Sequence, residues 1–238
     1  MPGEINATYT RDDHAFRAID PYAKAKYDLT LRWLDRRARP GDLLYNIGVG
    51  SGYFNHLAVA RGMRVVGCEP DPTAFHIARA AAPAGTEVFN CGLLEFARGR
   101  EPARFVVMHD VLEHIEDDLA AVAALRSIVA ESGTAIVSVP ALMSLFGRHD
   151  RELGHFRRYS ARSLRNVLES RFTIEKLKWY GAASIPIVWY FSRLRRLPYP
   201  MAVAKTAAGA AYGTICHVET YLWEPVGTSL LAQIVPRA

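Results

Sequence analysis

From Asp42 onward the chain alternates short apolar runs with helical stretches, and a glycine-rich turn stands at the first junction. Leu43–Ile47 reads as a buried strand, followed by Gly48-Val-Gly50-Ser-Gly52 and a helix to about Arg61. Arg64–Cys68 is a second apolar run, residues 72–82 are helical, and 87–90 form a third short strand. A fourth strand over 104–108 leads to a helix over 117–130, and 135–139 is a strand stopped by Pro140. Buried strands that alternate with helices need crossover connections, so they predict a parallel sheet with helices on its faces.

The flanks differ from this middle portion. Residues 14–39 carry Phe16, Ile19, Tyr22, Tyr27, Leu31 and Leu34 at helical spacing and end in Arg-Pro-Gly, a stop signal. Pro21 is expected to divide that helix, because it lacks a backbone donor and clashes with the preceding turn. After Pro140 the segment 141–159 is rich in Arg and His and reads as irregular. It precedes a helix over 161–170, a strand over 172–179, an apolar helical segment and a last strand over 228–235. With no repeat, low-complexity tract or Gly/Ser linker, residues 1–238 are expected to form a single domain. Its parts would be a helical cap (1–40), a ligand-binding core (41–140) and a substrate-side segment with lid and closing strands (141–238).

Composition narrows the class. Half of the 238 residues are apolar and 22% are charged, which is globular composition. Cys68, Cys91 and Cys216 are scattered and form no CxxC pair, so neither a disulfide framework nor a metal site is expected, and a reducing cytoplasmic setting fits. The first residues carry no apolar signal-peptide core, and no apolar run reaches the length of about 18–20 residues that a bilayer span needs. The net charge of +5 is concentrated in two arginine groups, Arg32/36/37/39 and Arg148/151/157/158/162/165. Without interleaved aromatics or a nucleic-acid motif, these are expected on solvated helix faces, with no nucleic-acid partner. The second group remains a candidate for holding an anionic acceptor.

The glycine turn carries the first chemical signal. Glycines between a strand and a helix let the backbone turn tightly and approach a ligand. The bulky pair Tyr53 and Phe54 occupies the place where a dinucleotide fingerprint has its third glycine, which disfavours close pyrophosphate packing. Glu69, followed by Pro70, closes the second strand, where a carboxylate can accept both hydroxyls of a ribose.

These segments resemble class I S-adenosylmethionine-dependent methyltransferases. Leu44-Tyr-Asn-Ile-Gly-Val-Gly-Ser-Gly-Tyr-Phe54 is similar to their first motif and Val66-Gly-Cys-Glu-Pro70 to their second. Phe105-Val-Val-Met-His-Asp-Val-Leu-Glu-His-Ile115 and His155-Phe-Arg-Arg-Tyr-Ser160 look like motifs of a small bacterial branch. The resemblance implies a Rossmann-like seven-stranded α/β fold, mostly parallel with an antiparallel last strand. It also implies S-adenosylmethionine as cofactor and no metal. By that likeness Asn46, Gly48, Gly50 and Gly52 line the methionine part, and Glu69 and Pro70 the ribose. Cys91, Gly92 and Leu93 edge the adenine, and His109 sits beside the sulfonium. Asn46 and Gly92 stand where the family commonly has aspartate, which predicts weakened cofactor affinity.

Methyl transfer to a hydroxyl or amine benefits from a base with a pKa near the working pH, which points to histidine. His109 and His155 are the first candidates and His149 the next; His114 is expected to be structural. Oxygen is the expected acceptor atom, then nitrogen, then carbon. A small or lipid-like acceptor in secondary-metabolite, glycan or lipid biosynthesis fits the family. The aromatics Trp179, Tyr180, Trp189, Tyr190 and Phe191 are expected as core or lid packing, and with Arg193, Arg195 and Arg196 an apolar acceptor pocket or a peripheral membrane contact is the alternative. A nicotinamide oxidoreductase and a scaffold protein that has lost turnover stand as rival readings.

Overall fold

A computed structural model describes residues 20–190 and 207–237. Its elements are α1 (Pro21–Asp35), β1 (Leu43–Ile47), α2 (Tyr53–Val59), β2 (Arg64–Cys68), α3 (Pro72–Ala80), β3 (Glu87–Phe89), α4 (Leu93–Phe96) and β4 (Ala103–His109). There follow α5 (Asp118–Ser127), β5 (Val129–Pro140), α6 (Arg148–Glu152), α7 (Ala161–Leu168), β6 (Phe172–Tyr180), α8 (Ile185–Trp189), α9 (Ala207–Glu219) and β7 (Ser229–Pro236). The seven strands form one sheet in the order β3-β2-β1-β4-β5-β7-β6. The pairings from β3 across to β5 are parallel, and β7 runs antiparallel to both β5 and β6. The expected fold class is borne out.

The central strands are buried on both faces, as parallel strands under helices must be. Phe105, Val106, Val107 and Met108 of β4 are each at most 1% exposed, and each buried side chain of this kind stabilises by about 1.5–3 kcal/mol. On one face Leu31 and Leu34 of α1 and Phe54 and Ala58 of α2 pack on Leu44, Val65 and Phe105. On the other, Leu125 of α5 and Leu164 and Leu168 of α7 pack on Val106, Val137 and Phe172.

Several boundaries differ from the expectation. Pro21 stands at the first position of α1, which Asp20 caps by accepting from the Tyr22 amide at 3.0 Å. Residues 14–19 of the expected helix, and Phe191, Arg193, Arg195 and Arg196, lie outside the described residues. β5 starts at Val129, not 135, and α5 ends at Ser127. Gly133 makes this possible, since a Cβ there would meet the Ala130 and Arg104 carbonyls at 2.8 and 2.9 Å. The segment 141–159 contains the helix α6 and is pinned by a bridge between Ala141 and Tyr159. Among the described residues no helix is long and apolar enough to cross a membrane.

The arginines of the second group are largely paired. Arg148 bonds Glu152, Arg157 bonds Asp118, Arg158 bonds Asp150 and Arg165 bonds Glu169. Arg36, Arg37, Arg39 and Arg104 line an open cleft of about 420 Å³, at the opposite end of β4 from His109.

Candidate active site at the carboxyl ends of β1, β2 and β4

The glycine turn is built as the sequence requires. Gly48, Gly50 and Gly52 have φ of +70°, +57° and +86°, a region that side-chain-bearing residues enter at a cost. The Gly48 and Val49 amides donate to the Cys68 carbonyl at 2.9 and 3.0 Å, tying the end of β1 to that of β2. A Cβ on Gly48 would lie 2.3 Å from Val111 Cγ2, so the turn also abuts the residues that follow β4. A Cβ on Gly50 would meet nothing within 4 Å; this glycine faces open space.

Glu69 braces the turn. Its Oε2 accepts from the Gly50 amide at 2.8 Å and its Oε1 from the Asp71 amide at 3.0 Å. The residue is 7% exposed, and burial pushes its carboxyl above the ordinary value against those two hydrogen bonds. Each carboxylate oxygen has two acceptor sites, so one on each remains for a diol. Pro70 is exposed, and its carbonyl accepts from Asn90 Nδ2 at 3.2 Å.

The next residues divide between surface and core. Cys91 and Gly92 are half-buried, and Gly92 caps α4 with no side chain to hydrogen-bond the first turn. The Leu93 side chain turns inward, 3% exposed, into the core cluster that holds Phe96 and Cys68. Asn46 is 2% exposed and donates from Nδ2 to Asn55 Oδ1 at 2.7 Å, which joins β1 to α2.

At the end of β4 two adjacent residues meet two residues one turn apart on α1. His109 Nε2 hydrogen-bonds Thr30 Oγ1 at 2.9 Å, and the ring packs between Tyr27 and Phe54 at 5.1 and 5.0 Å. Burial, with Lys26 nearby, lowers its pKa to about 3, so the ring is neutral near pH 7. Asp110 has φ +52°, rare for a residue with a side chain. Its Oδ2 ion-pairs with Lys26 Nζ, and its Oδ1 accepts from Ser138 Oγ at 2.8 Å. The Lys26 charge holds the Asp110 carboxyl well below the usual range against the opposing effect of burial. The lysine side chain is 4% exposed and the aspartate side chain 40%, so the carboxylate is the partner that reaches solvent.

A second polar cluster closes over this end of the sheet. Asp150 is fully buried and accepts from Arg158 Nε at 2.7 Å, Arg158 Nη2 at 3.1 Å and the Gly147 amide at 2.9 Å. The same carboxylate hydrogen-bonds His155 Nδ1 at 2.9 Å. His155 Nε2 lies 4.0 Å from Glu113 Oε1, and the His155 ring stands edge-on to His114 with centroids 4.6 Å apart. His149 is half-buried on α6 beside Asp150, and burial lowers its pKa.

The structure therefore gathers Gly48, Gly50 and Glu69 at one rim and His109 at the end of β4, and places His155 and His149 in the covering segment. Lys26 and Thr30 are site neighbours that the sequence reading passed over. Their signal is the i, i+4 pair of polar residues on the helix face that also carries Ala23 and Leu34, all buried.

The comparisons with known proteins agree with this geometry. The profile of a family described as "Methyltransferase domain" matches residues 14–179, well over half of the chain. An uncharacterized methyltransferase of Mycobacterium sp. (strain KMS) is 31% identical over 117 residues, 49% of this chain and 46% of that protein. One from Mycobacterium leprae (strain TN) is 30% identical over 129 residues, 52% and 47% of the two chains. The chain thus spans about half the length of the curated relatives it matches. Among solved structures, the N-methyltransferase NodS from Bradyrhizobium japonicum WM9, in complex with S-adenosyl-L-homocysteine, superposes with a TM-score of 0.60 at 16% identity. That match covers 92% of this chain and 89% of NodS. The cyclopropane synthase MmaA2 from Mycobacterium tuberculosis gives 0.61 at 18% identity, covering 90% and 84%. These likenesses bear out the fold, and the profile match bears out the resemblance that the glycine turn and Glu69 suggested: the chain belongs to the methyltransferase-domain family.

Proposed function

We propose that this protein transfers the methyl group of S-adenosylmethionine to a hydroxyl oxygen of a small or amphiphilic acceptor. In this reading the Gly48–Gly52 turn takes the methionine part of the cofactor and Glu69 takes the ribose. The adenine rests along Cys91 and Gly92, read by backbone groups because Leu93 turns its side chain away. When bound, the cofactor supplies an electrophilic methyl carbon on a sulfonium.

The observation that carries the acceptor assignment is Asp110. It is an ionised carboxylate in a strained backbone conformation, at the end of the strand beside the glycine turn, with its exposed edge toward solvent. Strain of this kind persists where the surrounding structure enforces it and clusters at active sites. A hydroxyl donating to that carboxylate is held with an oxygen lone pair free for in-line attack. As the carbon–oxygen bond forms and the carbon–sulfur bond breaks, the oxygen's proton becomes strongly acidic, and a carboxylate of low basicity suffices to take it. His109, with a pKa of about 3, is too weakly basic to be the main base at neutral pH and serves as a neutral wall beside the sulfur. His155 and His149 close the covering segment. The amphiphilic character of the acceptor is supported by Tyr221, Leu222 and Trp223, which are 65, 54 and 85% exposed after α9, the helix packed on α1. A peripheral membrane contact through this aromatic run is part of the same proposal.

The test supplies methyl-labelled S-adenosylmethionine with paired hydroxylated and amine amphiphiles and identifies the labelled atom by mass spectrometry. Label on oxygen is expected. Label confined to nitrogen or carbon contradicts the acceptor assignment, and cofactor binding with no transfer to any acceptor or extract favours the scaffold reading.

A further inference from the structure

Among the described residues Glu113 is the least explained buried group. It is 0% exposed, and neither carboxylate oxygen has a hydrogen-bond partner outside its own residue. A buried acceptor left unmade costs about 1–3 kcal/mol, more when charged, so such a group calls for a proton or an ion. Two histidines lie beside it. His114 Nδ1 is buried and has no hydrogen-bond partner, and His155 Nε2 stands 4.0 Å from Glu113 Oε1. One ligand atom from each of Glu113, His114 and His155 lies within 4.8 Å of the others.

We infer that Glu113, His114 and His155 form a binding site for one divalent transition-metal ion of the zinc class. Two imidazoles and a carboxylate suit zinc, and three protein ligands leave a fourth position for water or another oxygen. A tetrahedral ion with bonds of about 2.0–2.1 Å needs ligand atoms about 3.3 Å apart. The site therefore requires the three side chains to close by roughly 1–1.5 Å from the 4.8 Å bound. Its outer shell is already built. His155 directs Nδ1 at Asp150, which fixes the ring and leaves Nε2 as the metal-facing atom, and Asp150 is itself locked by Arg158 and the Gly147 amide. A carboxylate behind a ligating histidine in this way is the usual support of a metal ligand. Arg158 balances Asp150, so the carboxylate left for the ion to neutralise is Glu113. The ion would join the turn after β4 to the segment after α6, two parts already linked by the hydrogen bond from the Phe156 amide to the Glu113 carbonyl at 2.8 Å. This departs from the expectation of no metal, which rested on the scattered cysteines and on the family resemblance. It does not depend on the identity of the methyl acceptor.

The test uses the full chain, stripped with a chelator and titrated with zinc alone or cobalt(II) alone. Wild type should take up one equivalent, with the intense visible bands of cobalt in a four- or five-coordinate site and an increased melting temperature. Outer-shell partners are worth about 10–100-fold in affinity, so loss of a ligand in Glu113→Gln or His155→Gln should weaken zinc binding by more than about 100-fold. His217→Gln, which changes an exposed histidine on α9, should leave it unchanged. Undiminished affinity in folded Glu113→Gln or His155→Gln overturns the assignment. If both variants fail to fold, the wild-type cobalt spectrum decides: intense bands support the site, and only the pale spectrum of hydrated cobalt overturns it.

Discussion

Lys26 and Asp110 stand 84 positions apart and form an ion pair in which the cation is buried and the anion reaches solvent. The two sides are unequal. Asp110→Asn removes the charge opposite an ammonium whose side chain is 4% exposed, whereas Lys26→Met leaves a carboxylate that still has Ser138 and solvent. Breaking a buried pair by removing one partner costs about 3–5 kcal/mol, and the partial exposure of Asp110 lowers that figure. Asp110→Asn is therefore expected to destabilise by about 2–3 kcal/mol and Lys26→Met by clearly less. Urea unfolding at pH 7 checks the order, and equal losses would contradict this picture of the pair.

Acid should weaken the fold through His109. Its pKa is about 3 in the folded chain against about 6.5 when exposed, so the unfolded chain binds a proton first as the pH falls. The stability that comes from keeping the ring neutral is present above pH 6.5 and declines as the pH drops from there toward 3. His114, lowered to about 4 by burial, acts in the same direction. His109→Gln is expected to show a shallower loss of stability between pH 7 and pH 4.5 in urea titrations. An unchanged slope would place the acid sensitivity elsewhere.

Two glycines of one turn should respond differently to alanine. At Gly48 the added carbon meets Val111 Cγ2 at 2.3 Å and φ is +70°, so both strain and overlap act. A loss of about 2–4 kcal/mol in folding stability is expected. At Gly50 φ is +57° but the space is open, so the stability cost is about 1 kcal/mol. The methyl group there would project into the open space of the proposed cofactor seat. Gly50→Ala should remain folded and bind S-adenosylhomocysteine at least about tenfold more weakly, a 1.4 kcal/mol effect. Calorimetry beside a melting curve separates the two cases, and full affinity in Gly50→Ala would show that this face is not the ligand's.

Gly92 offers a gain. It caps α4 without a side-chain acceptor, and a Cβ built there meets nothing within 4 Å. Gly92→Asp supplies the missing cap, and replacing glycine at such a position contributes a few tenths of a kcal/mol. The carboxylate would also stand at the adenine edge of the proposed cofactor seat. Tighter binding of S-adenosylhomocysteine with an unchanged or higher melting temperature is expected; weaker binding would contradict that placement of the adenine.

The sheet was largely legible because its strands are continuous apolar runs bounded by Gly, Pro and Asp. β1 and β2 fall on the expected residues. Pro21 opens α1 under the capping Asp20, and the stretch before it, residues 14–19, lies outside the described residues. The early start of β5 depends on Gly133 tolerating two carbonyls, a tertiary contact with no local signal. In the site, the glycine turn and Glu69 could be read because their spacing is local. Lys26 was missed because its partner lies 84 residues on, and Glu113 because an unpartnered acid becomes visible only once its surroundings are fixed.

The central claim is that the Gly48–Gly52 turn and Glu69 together seat an adenosyl sulfonium. Calorimetric titration of wild type and Glu69→Gln with S-adenosylhomocysteine tests it most directly. The amide keeps the shape but places an NH₂ against the Gly50 or Asp71 amide and removes an acceptor for the ribose. Saturable one-to-one binding by wild type, weakened by at least about tenfold in folded Glu69→Gln, is the predicted result. No binding by wild type, or equal affinity in the variant, would contradict it.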